Sequence, residues 1–313
     1  MEKPAELPSC PEFTKKQIPA FKREKNLLMM RFPLLDGLGN RISDKPPECK
    51  PGYAVDKEKT LWYPIGMKRG YPMKKRYIVG ICLVSVLLAL VFGCIVYVSD
   101  CYSAEGMAVA AMAGSETVSI QKKDKMTVFA PENPTAGFLF YPGGKVESTA
   151  YAPLMLALAE RDVLCVLIPM PCNLAVLNPN AAEGIQEQFP EIENWYIGGH
   201  SLGGSMAASY GAKHPGQLKG LVLLAAYSTA DLTDSGLDVL SMYGSEDGVL
   251  NMEKYGNCRK NLPETAVEVM IQGGNHASFG SYGAQDGDGE ASISAAQQIQ
   301  YTTEEIVKFV NAA

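Results

Sequence analysis

From residue 126 onward, short continuous apolar runs alternate with segments of mixed polarity that favour helices. Continuous apolar runs are typical of strands that are covered on both faces of a sheet. The pattern therefore predicts an α/β fold of three layers with a mostly parallel sheet. The predicted strands lie near Met126–Ala130, Gly137–Tyr141, Val163–Pro169, Trp195–Gly198, Gly220–Ala225, Val239–Tyr243 and Val267–Ile271. The predicted helices lie near Tyr151–Arg161, Ala181–Phe189, Leu202–Lys213, Met252–Asn261 and Ser294–Asn311.

A different pattern precedes this part of the chain, because residues 77–98 hold no charge over 22 positions. A helix of that length crosses the hydrocarbon layer of a membrane, and buried helices of soluble domains rarely lack a polar face altogether. The basic run 74–76 stands before it, and Asp100 and Glu105 follow it. Since basic flanks stay in the cytoplasm, the pattern predicts a single-pass cell-membrane anchor with a cytoplasmic N-terminus and an extracytoplasmic C-terminal domain.

Charge divides the chain at the same place. Residues 1–76 contain 17 Lys and Arg against 9 Asp and Glu, a net charge of +8, whereas residues 77–313 contain 11 against 25, a net charge of −14. The basic part is rich in proline and has no sustained helical or strand period, which predicts a disordered region. Its basic residues are interleaved with acidic ones and no nucleic-acid-binding signature accompanies them, so we expect no nucleic acid partner.

The start of the apolar segment allows a second interpretation. Met73, followed by basic residues and an apolar run, resembles the beginning of a secretory signal, with Met73 as the initiator. Cleavage between Ala104 and Ala113 is then the alternative, but the run is long for a signal peptide and favours an uncleaved anchor. The predicted organisation is a disordered cytoplasmic region over residues 1–76, a transmembrane helix over 77–98, a tether over 99–119 and an α/β domain over 120–313.

The predicted strand at Trp195–Gly198 runs directly into Gly199-His200-Ser201-Leu202-Gly203, and a helix rich in small residues follows at once. A serine on a tight strand-to-helix turn projects its hydroxyl above the sheet edge, and flanking glycines leave room for the strained backbone. This arrangement is typical of a nucleophile elbow. Ser201 is therefore the predicted nucleophile.

A serine nucleophile needs a base and an acid that orients it, and in such folds they follow the serine in the order acid, then histidine. Of three histidines, His200 lies inside the elbow and His214 lies at a helix end, which leaves His276 as the predicted base. Asp247, in the loop after the sixth predicted strand, is the predicted acid, with Glu246 in reserve. Both loops follow strands parallel to the elbow strand, so we expect them at one sheet edge.

From about residue 126 to its end, roughly three fifths of its length, the chain resembles the α/β-hydrolase superfamily, in particular the compact, lidless branch of dienelactone-hydrolase-like proteins. The resemblance rests on residues 199–203, 243–247, 274–276 and 141–144. It implies that Ser201, Asp247 and His276 form a catalytic triad in an open site. Dienelactone hydrolases proper carry a cysteine at the nucleophile position, so lactone specificity does not transfer.

The segment Tyr141-Pro-Gly-Gly-Lys145 follows an early strand, where the superfamily supplies one oxyanion donor. The resemblance implies that backbone amides from Gly143, Gly144 and Lys145, together with that of Leu202, stabilise the oxyanion, and a plain turn is the alternative. The acidic segment 286–290 lacks the remaining ligands and the length of a calcium loop. We therefore expect neither a metal nor a cofactor.

These observations predict a membrane-anchored serine hydrolase that cleaves small-molecule carboxylic esters through an acyl-enzyme. An acyltransferase or peptidase with the same triad, and a non-catalytic binding module on the same scaffold, are the alternatives. The sequence leaves open the substrate, the oligomeric state and whether Cys172 and Cys258 form a disulfide.

Overall fold

The computed structural model describes residues 74–123 and 125–312, so the predicted disordered region lies almost wholly outside the described residues. The helices in this part of the chain are α1 (Lys75–Ser99), α2 (Gly106–Ala111), α3 (Ala152–Ala159), α4 (Leu202–Lys213), α5 (Met252–Cys258) and α6 (Ala295–Ala312). The strands are β1 (Val118–Lys123), β2 (Met126–Pro131), β3 (Ala136–Tyr141), β4 (Val163–Leu167), β5 (Trp195–His200), β6 (Gly220–Leu224), β7 (Asp238–Gly244) and β8 (Val267–Ile271).

The eight strands form one sheet in the order β1-β2-β4-β3-β5-β6-β7-β8. Strand β2 is antiparallel to both β1 and β4, whereas the strands from β3 to β8 run parallel to one another. Every residue of β3, β4, β5 and β6 is buried, as the continuous apolar runs predict for strands covered on both faces. The predicted mostly parallel α/β sheet is confirmed.

Two hydrophobic clusters lie on opposite faces of the sheet, because successive side chains of a strand point in opposite directions. Phe138 and Phe140 of β3 pack in one cluster with residues of α3 and α6. Leu139 and Tyr141 of the same strand pack in the other cluster with residues of α4. The sheet therefore lies between helical layers, and the carboxyl ends of its parallel strands meet at one edge.

Two features of the sequence interpretation need correction. The helix predicted at Ala181–Phe189 is wrong, since this segment forms turns and one short 3-10 helix at Gln186–Gln188. Gly184 has φ of 74° within it, a left-handed conformation that interrupts a helix. In addition, α2 and the start of β1 occupy the stretch that was predicted only as a tether.

Helix α1 contains the predicted membrane segment. It is the one helix among the described residues that is long and apolar enough to cross a membrane, and none of its residues is buried against the rest of the chain. Its 25 residues span about 37 Å at 1.5 Å per residue, which exceeds a hydrocarbon layer of about 30 Å. Length and composition therefore fit a membrane span.

After α1 the chain turns back onto the sheet domain. The amide of Tyr102 donates to the carbonyl of Lys145 at 2.8 Å, and the amide of Glu147 donates to the carbonyl of Tyr102 at 2.9 Å. The cysteines in the described part of the chain, Cys172 and Cys258 included, are free thiols. This attachment therefore rests on hydrogen bonds and packing.

Candidate active site

Ser201 lies between the end of β5 and the start of α4, with φ of 52° and ψ of −120°. A residue other than glycine is uncommon at positive φ, and such strain persists only where the surrounding structure imposes it. Here the amide of Ser201 donates to the carbonyl of Leu224 at 2.9 Å, which fixes the turn to the neighbouring strand β6. The serine is thus held in the conformation that a nucleophile elbow requires.

The glycines on both sides of the serine are required by close backbone contacts. A side chain at Gly203 would collide with the carbonyl oxygens of Tyr141 and Pro142, and one at Gly199 would lie 2.6 Å from the carbonyl carbon of Gly203. Neighbouring backbone cannot move aside as a flexible side chain could. The elbow therefore packs directly against the loop that follows β3.

Asp247 and His276 follow β7 and β8 and form a buried pair whose side chains are each 1% exposed. The Nδ1 atom of His276 lies 2.9 Å from Oδ2 and 3.1 Å from Oδ1 of Asp247. The Oδ1 atom also accepts from the amides of Val249 and Leu250, at 2.9 and 2.7 Å. Because a carboxylate only accepts, Nδ1 is the nitrogen that carries the proton in the neutral imidazole of His276, and Nε2 then carries the free lone pair.

This Nε2 atom is buried and has no hydrogen-bond partner among the described residues. His276 and Ser201 line one cavity of about 250 Å³, and the structure thus places the predicted nucleophile and base together. They form no direct hydrogen bond, and such bonds are often long in a site without substrate and tighten when one binds. The other residues that line the cavity are Leu202, Ser205, Ala225, Ala226, Tyr227, Val249, Leu250 and Asn251.

Glu246, the alternative candidate for the acid, lies in a different environment. Glu246 is exposed, and its Oε1 accepts from the hydroxyl of Ser245 at 3.0 Å. The acceptor that faces Nδ1 of His276 is instead the carboxylate of the neighbouring residue, Asp247. The geometry therefore favours Asp247 over Glu246.

Asp288 links two loops of the candidate site, which the sequence did not reveal. Its carboxylate accepts from the amides of Gly248 at 3.1 Å, His276 at 3.1 Å and Ala277 at 2.8 Å, so it joins the loop of the acid to the loop of the base. In the sequence it belongs to the acidic segment 286–290, which lacks the length and the remaining ligands of a calcium loop and carries no other signal. The described residues contain no group of three or more His, Cys, Asp and Glu side chains that could hold a metal.

A second buried link joins the elbow to the loop after β3. The amide of Gly143 donates to the hydroxyl of Tyr151 at 3.0 Å, and this hydroxyl lies 2.8 Å from Nδ1 of His200. Since the phenol oxygen accepts from Gly143, its own proton is available for His200. Burial and the neighbouring His276 hold the pKa of His200 well below its ordinary value, so the ring of His200 is a neutral acceptor at Nδ1.

These contacts correct the predicted oxyanion donors. The amide of Gly143 is engaged by Tyr151, and the amide of Lys145 donates to the carbonyl of Asn173 at 2.8 Å. Gly144 and Leu202 stay the predicted donors. A side chain built on Gly144 would lie 3.1 Å from Cδ2 of Leu202, so the two residues are neighbours in space.

We expect Tyr151→Phe to lower the free energy of unfolding by about 1–3 kcal/mol, because it leaves a buried amide and a buried imidazole nitrogen without partners. Denaturant unfolding followed by circular dichroism measures the loss. Tyr282→Phe is the matched control, since this buried tyrosine donates only to the side chain of Gln285. Equal losses in the two variants would contradict the role assigned to Tyr151.

Comparison with known proteins gives one family and several similar folds. A family model described as "Alpha/beta hydrolase family" matches residues 137–300. No curated protein matches the chain. Among solved structures, a carboxylesterase from Bacillus subtilis is 11% identical with a TM-score of 0.48, and the alignment covers 66% of this chain and 95% of that chain.

Two further solved structures match this chain with similar sequence identity, TM-score and coverage. Carboxyl esterase 2 from Tuber melanosporum is 14% identical with a TM-score of 0.49, and the alignment covers 68% of this chain and 91% of that chain. Dienelactone hydrolase from Anabaena variabilis is 13% identical with a TM-score of 0.45, and the alignment covers 60% and 97%. Similarity at this level concerns the fold.

Proposed function

Because the chain belongs to the α/β-hydrolase family, whose match extends over residues 137–300, we propose that it is a membrane-anchored serine hydrolase that cleaves small-molecule carboxylic esters. The observation that carries the proposal is the free, buried Nε2 of His276, which shares a cavity with Ser201 while Asp247 holds the opposite nitrogen. A base with a free lone pair beside a strained serine is the arrangement that activates a hydroxyl for attack.

In the proposed first half of the reaction, Nε2 of His276 takes the proton of the Ser201 hydroxyl as Oγ attacks the ester carbonyl carbon. The carbonyl oxygen becomes an oxyanion, and the amides of Gly144 and Leu202 donate to it. Collapse of the tetrahedral intermediate breaks the ester bond. The leaving alkoxide receives the proton from His276, and the acyl group stays on Ser201.

In the second half, a water molecule takes the place of the alcohol. His276 accepts a proton from this water, and the resulting hydroxide attacks the acyl-enzyme. The bond to Oγ breaks, Ser201 regains its proton from His276, and the carboxylic acid leaves. Throughout, Asp247 keeps the imidazole oriented and stabilises its protonated form.

Product analysis tests hydrolysis against acyl transfer. We expect the purified full-length protein to convert a short-chain aryl ester into the phenol and the free acid even when a competing alcohol or amine is present. The open cavity gives water access to the acyl-enzyme, so water is the expected acceptor. A transferred ester or amide as the main product would instead favour an acyltransferase.

The membrane anchor is supported by α1, which is 25 residues long and unburied, with basic residues before it and Asp100 after it. We expect full-length protein to remain with the membrane fraction after an alkaline carbonate wash. We also expect protease added to intact cells or spheroplasts to degrade the C-terminal domain, because the basic flank keeps the N-terminus inside.

A variant with arginines in the apolar helix is the matched control for the anchor. Leu87→Arg with Leu90→Arg places two charges near the centre of α1, each of which costs about 2.5–3.5 kcal/mol on insertion. After the carbonate wash, this variant should be found in the soluble fraction instead of the membrane fraction. Recovery of the unaltered protein in the soluble cytosolic fraction would contradict the anchor.

A further inference from the structure

The loop beside the candidate site is attached to the end of α1. The ammonium group of Lys145 lies 2.9 Å from Oδ2 of Asp100, the residue after α1, and 4.7 Å from the ring centroid of Tyr97 in the last turn of α1. The carbonyl of Lys145 accepts from the amide of Tyr102. Tyrosines collect at the interface between membrane and water, so Tyr97 places Lys145 at that level.

The same loop reaches the serine. Lys145 directly follows Gly144, whose built side chain would lie 3.1 Å from Leu202, and Leu202 directly follows Ser201. Consecutive Cα atoms are about 3.8 Å apart, so only a few such steps separate the last turn of α1 from the elbow. Leu202, which lines the cavity, therefore lies close to the end of the proposed membrane span.

The chain that leaves α1 is also attached on the other side of the site. The amide of Asp286 donates to the hydroxyl of Tyr102 at 3.2 Å, and the amide of Glu105 donates to the carbonyl of Ser281 at 2.9 Å. Asp286 and Ser281 both lie in the segment that follows His276. Because contacts on two sides hold this connection, the orientation of the site relative to α1 is restricted.

An exposed apolar pair lies next to this attachment. Val176 and Leu177 are 53% and 56% exposed. They follow the turn Pro171–Asn173, which contacts α1, and the intervening Leu174 lies 3.9 Å from the position of a side chain on Gly144. Apolar side chains at the end of a membrane span can enter the interfacial layer rather than remain in water.

The size of the cavity is compatible with a long ester substrate that enters it only in part. The cavity of about 250 Å³ is smaller than the roughly 300–1,000 Å³ that encloses a drug-sized ligand. It accommodates the ester group and a short part of the acyl chain, while the remainder of a long amphiphile stays outside. With the Leu202 side of the cavity close to the end of the proposed span, the lipid layer can hold that remainder.

Resting on the proposed esterase function and membrane anchor, we propose that the substrate is an acyl ester lipid presented by the membrane, and that Val176 and Leu177 contact the lipid layer beside the site. Electrostatic attraction does not bring this part of the chain to the lipid, because residues 77–313 have a net charge of −14, which repels anionic headgroups. The occupant of the apolar pair is therefore a neutral lipid surface.

The experiment uses full-length protein reconstituted in phosphatidylcholine vesicles that carry a diacylglycerol with a reporter on one acyl chain. Two rates are measured on the same vesicles, namely release of the labelled fatty acid and hydrolysis of 4-nitrophenyl acetate from the water phase. Wild-type protein should catalyse both. The double variant Val176→Asp with Leu177→Asp should lower the ratio of lipid rate to acetate rate at least about tenfold, which corresponds to about 1.4 kcal/mol.

Val267→Asp is the matched control. Val267 is 51% exposed, nearly the same as Val176, but it begins β8 and so lies at the opposite edge of the sheet from the site. This substitution should leave the ratio of the two rates within about twofold of the wild-type ratio, since a surface substitution away from the interface has little effect.

Each remaining outcome decides against one proposal. Hydrolysis of the acetate without release of fatty acid would overturn the lipid substrate and leave the esterase function standing. An unchanged ratio in the double variant, or an equal fall in Val267→Asp, would also overturn it. A dimer that the double aspartate variant converts to a monomer would assign the apolar pair to a second copy of this chain. Hydrolysis of neither ester would refute the proposed function itself.

Discussion

Ser201→Ala is expected to reduce ester hydrolysis by a factor on the order of 10⁴ or more and to abolish labelling by a fluorophosphonate. The reason is that Oγ of Ser201 is the atom that forms the acyl-enzyme, and no other hydroxyl is held at positive φ on the elbow. His276→Ala should cause a comparable loss. Because the residues act as a unit, the double variant should be little worse than either single one.

Ser205→Ala is the control for this change. Ser205 lines the same cavity, but its hydroxyl donates to the carbonyl of Tyr227 at 2.8 Å and is already engaged. The variant should keep most of the activity and its fluorophosphonate labelling. Initial rates on a short-chain aryl ester and gel fluorescence measure both properties. Wild-type rates in Ser201→Ala would remove the serine hydrolase proposal and favour the binding module.

The elbow could be predicted from the sequence because its requirements are local. Gly199 and Gly203 stand within two residues of Ser201, and a following helix of small residues is visible in the same stretch. The order of acid and histidine also follows from the chain direction of parallel strands, since loops after such strands open at one edge. Asp247 and His276 are brought together there by β7 and β8.

The supporting contacts could not be predicted, because they join residues that are distant in sequence. Tyr151 reaches His200 across 49 positions, and Gly248 reaches Asp288 across 40. The sequence spacing of neither pair indicates that the two residues are in contact. The amide of Gly143 has a nearer partner, since the hydroxyl of Tyr151 that accepts from it lies only eight positions along the chain, but this pairing too depends on the fold and leaves no motif in the sequence.

The link between α1 and the sheet domain was missed for a related reason. Residues 99–119 are rich in serine and alanine, a composition that is typical of an unattached connection. Two of their contacts, the hydrogen bonds from the amides of Tyr102 and Glu105, are made by backbone groups, which almost any sequence can provide. The composition of this stretch therefore gives no sign that it is attached to the sheet domain.

The largest effect away from the nucleophile is expected for Asp247→Asn. In the wild-type protein, Oδ1 accepts from the amides of Val249 and Leu250, and Oδ2 faces Nδ1 of His276. The asparagine oxygen should keep the two amide bonds, which directs its NH₂ group at Nδ1. Nδ1 must then accept, so the proton moves to Nε2, and His276 can no longer take the proton of Ser201.

We therefore expect kcat of Asp247→Asn to fall by a factor on the order of 10⁴, the loss that this change causes in serine proteases, with little change in KM. Glu246→Gln is the neighbouring control and should keep most of the activity, because the side chain of Glu246 is exposed and, among the described residues, accepts only from the hydroxyl of Ser245. Steady-state kinetics on a short-chain aryl ester measure both variants. An active Asp247→Asn together with a collapse in Glu246→Gln would move the acid by one residue and leave Ser201 and His276 in their proposed roles.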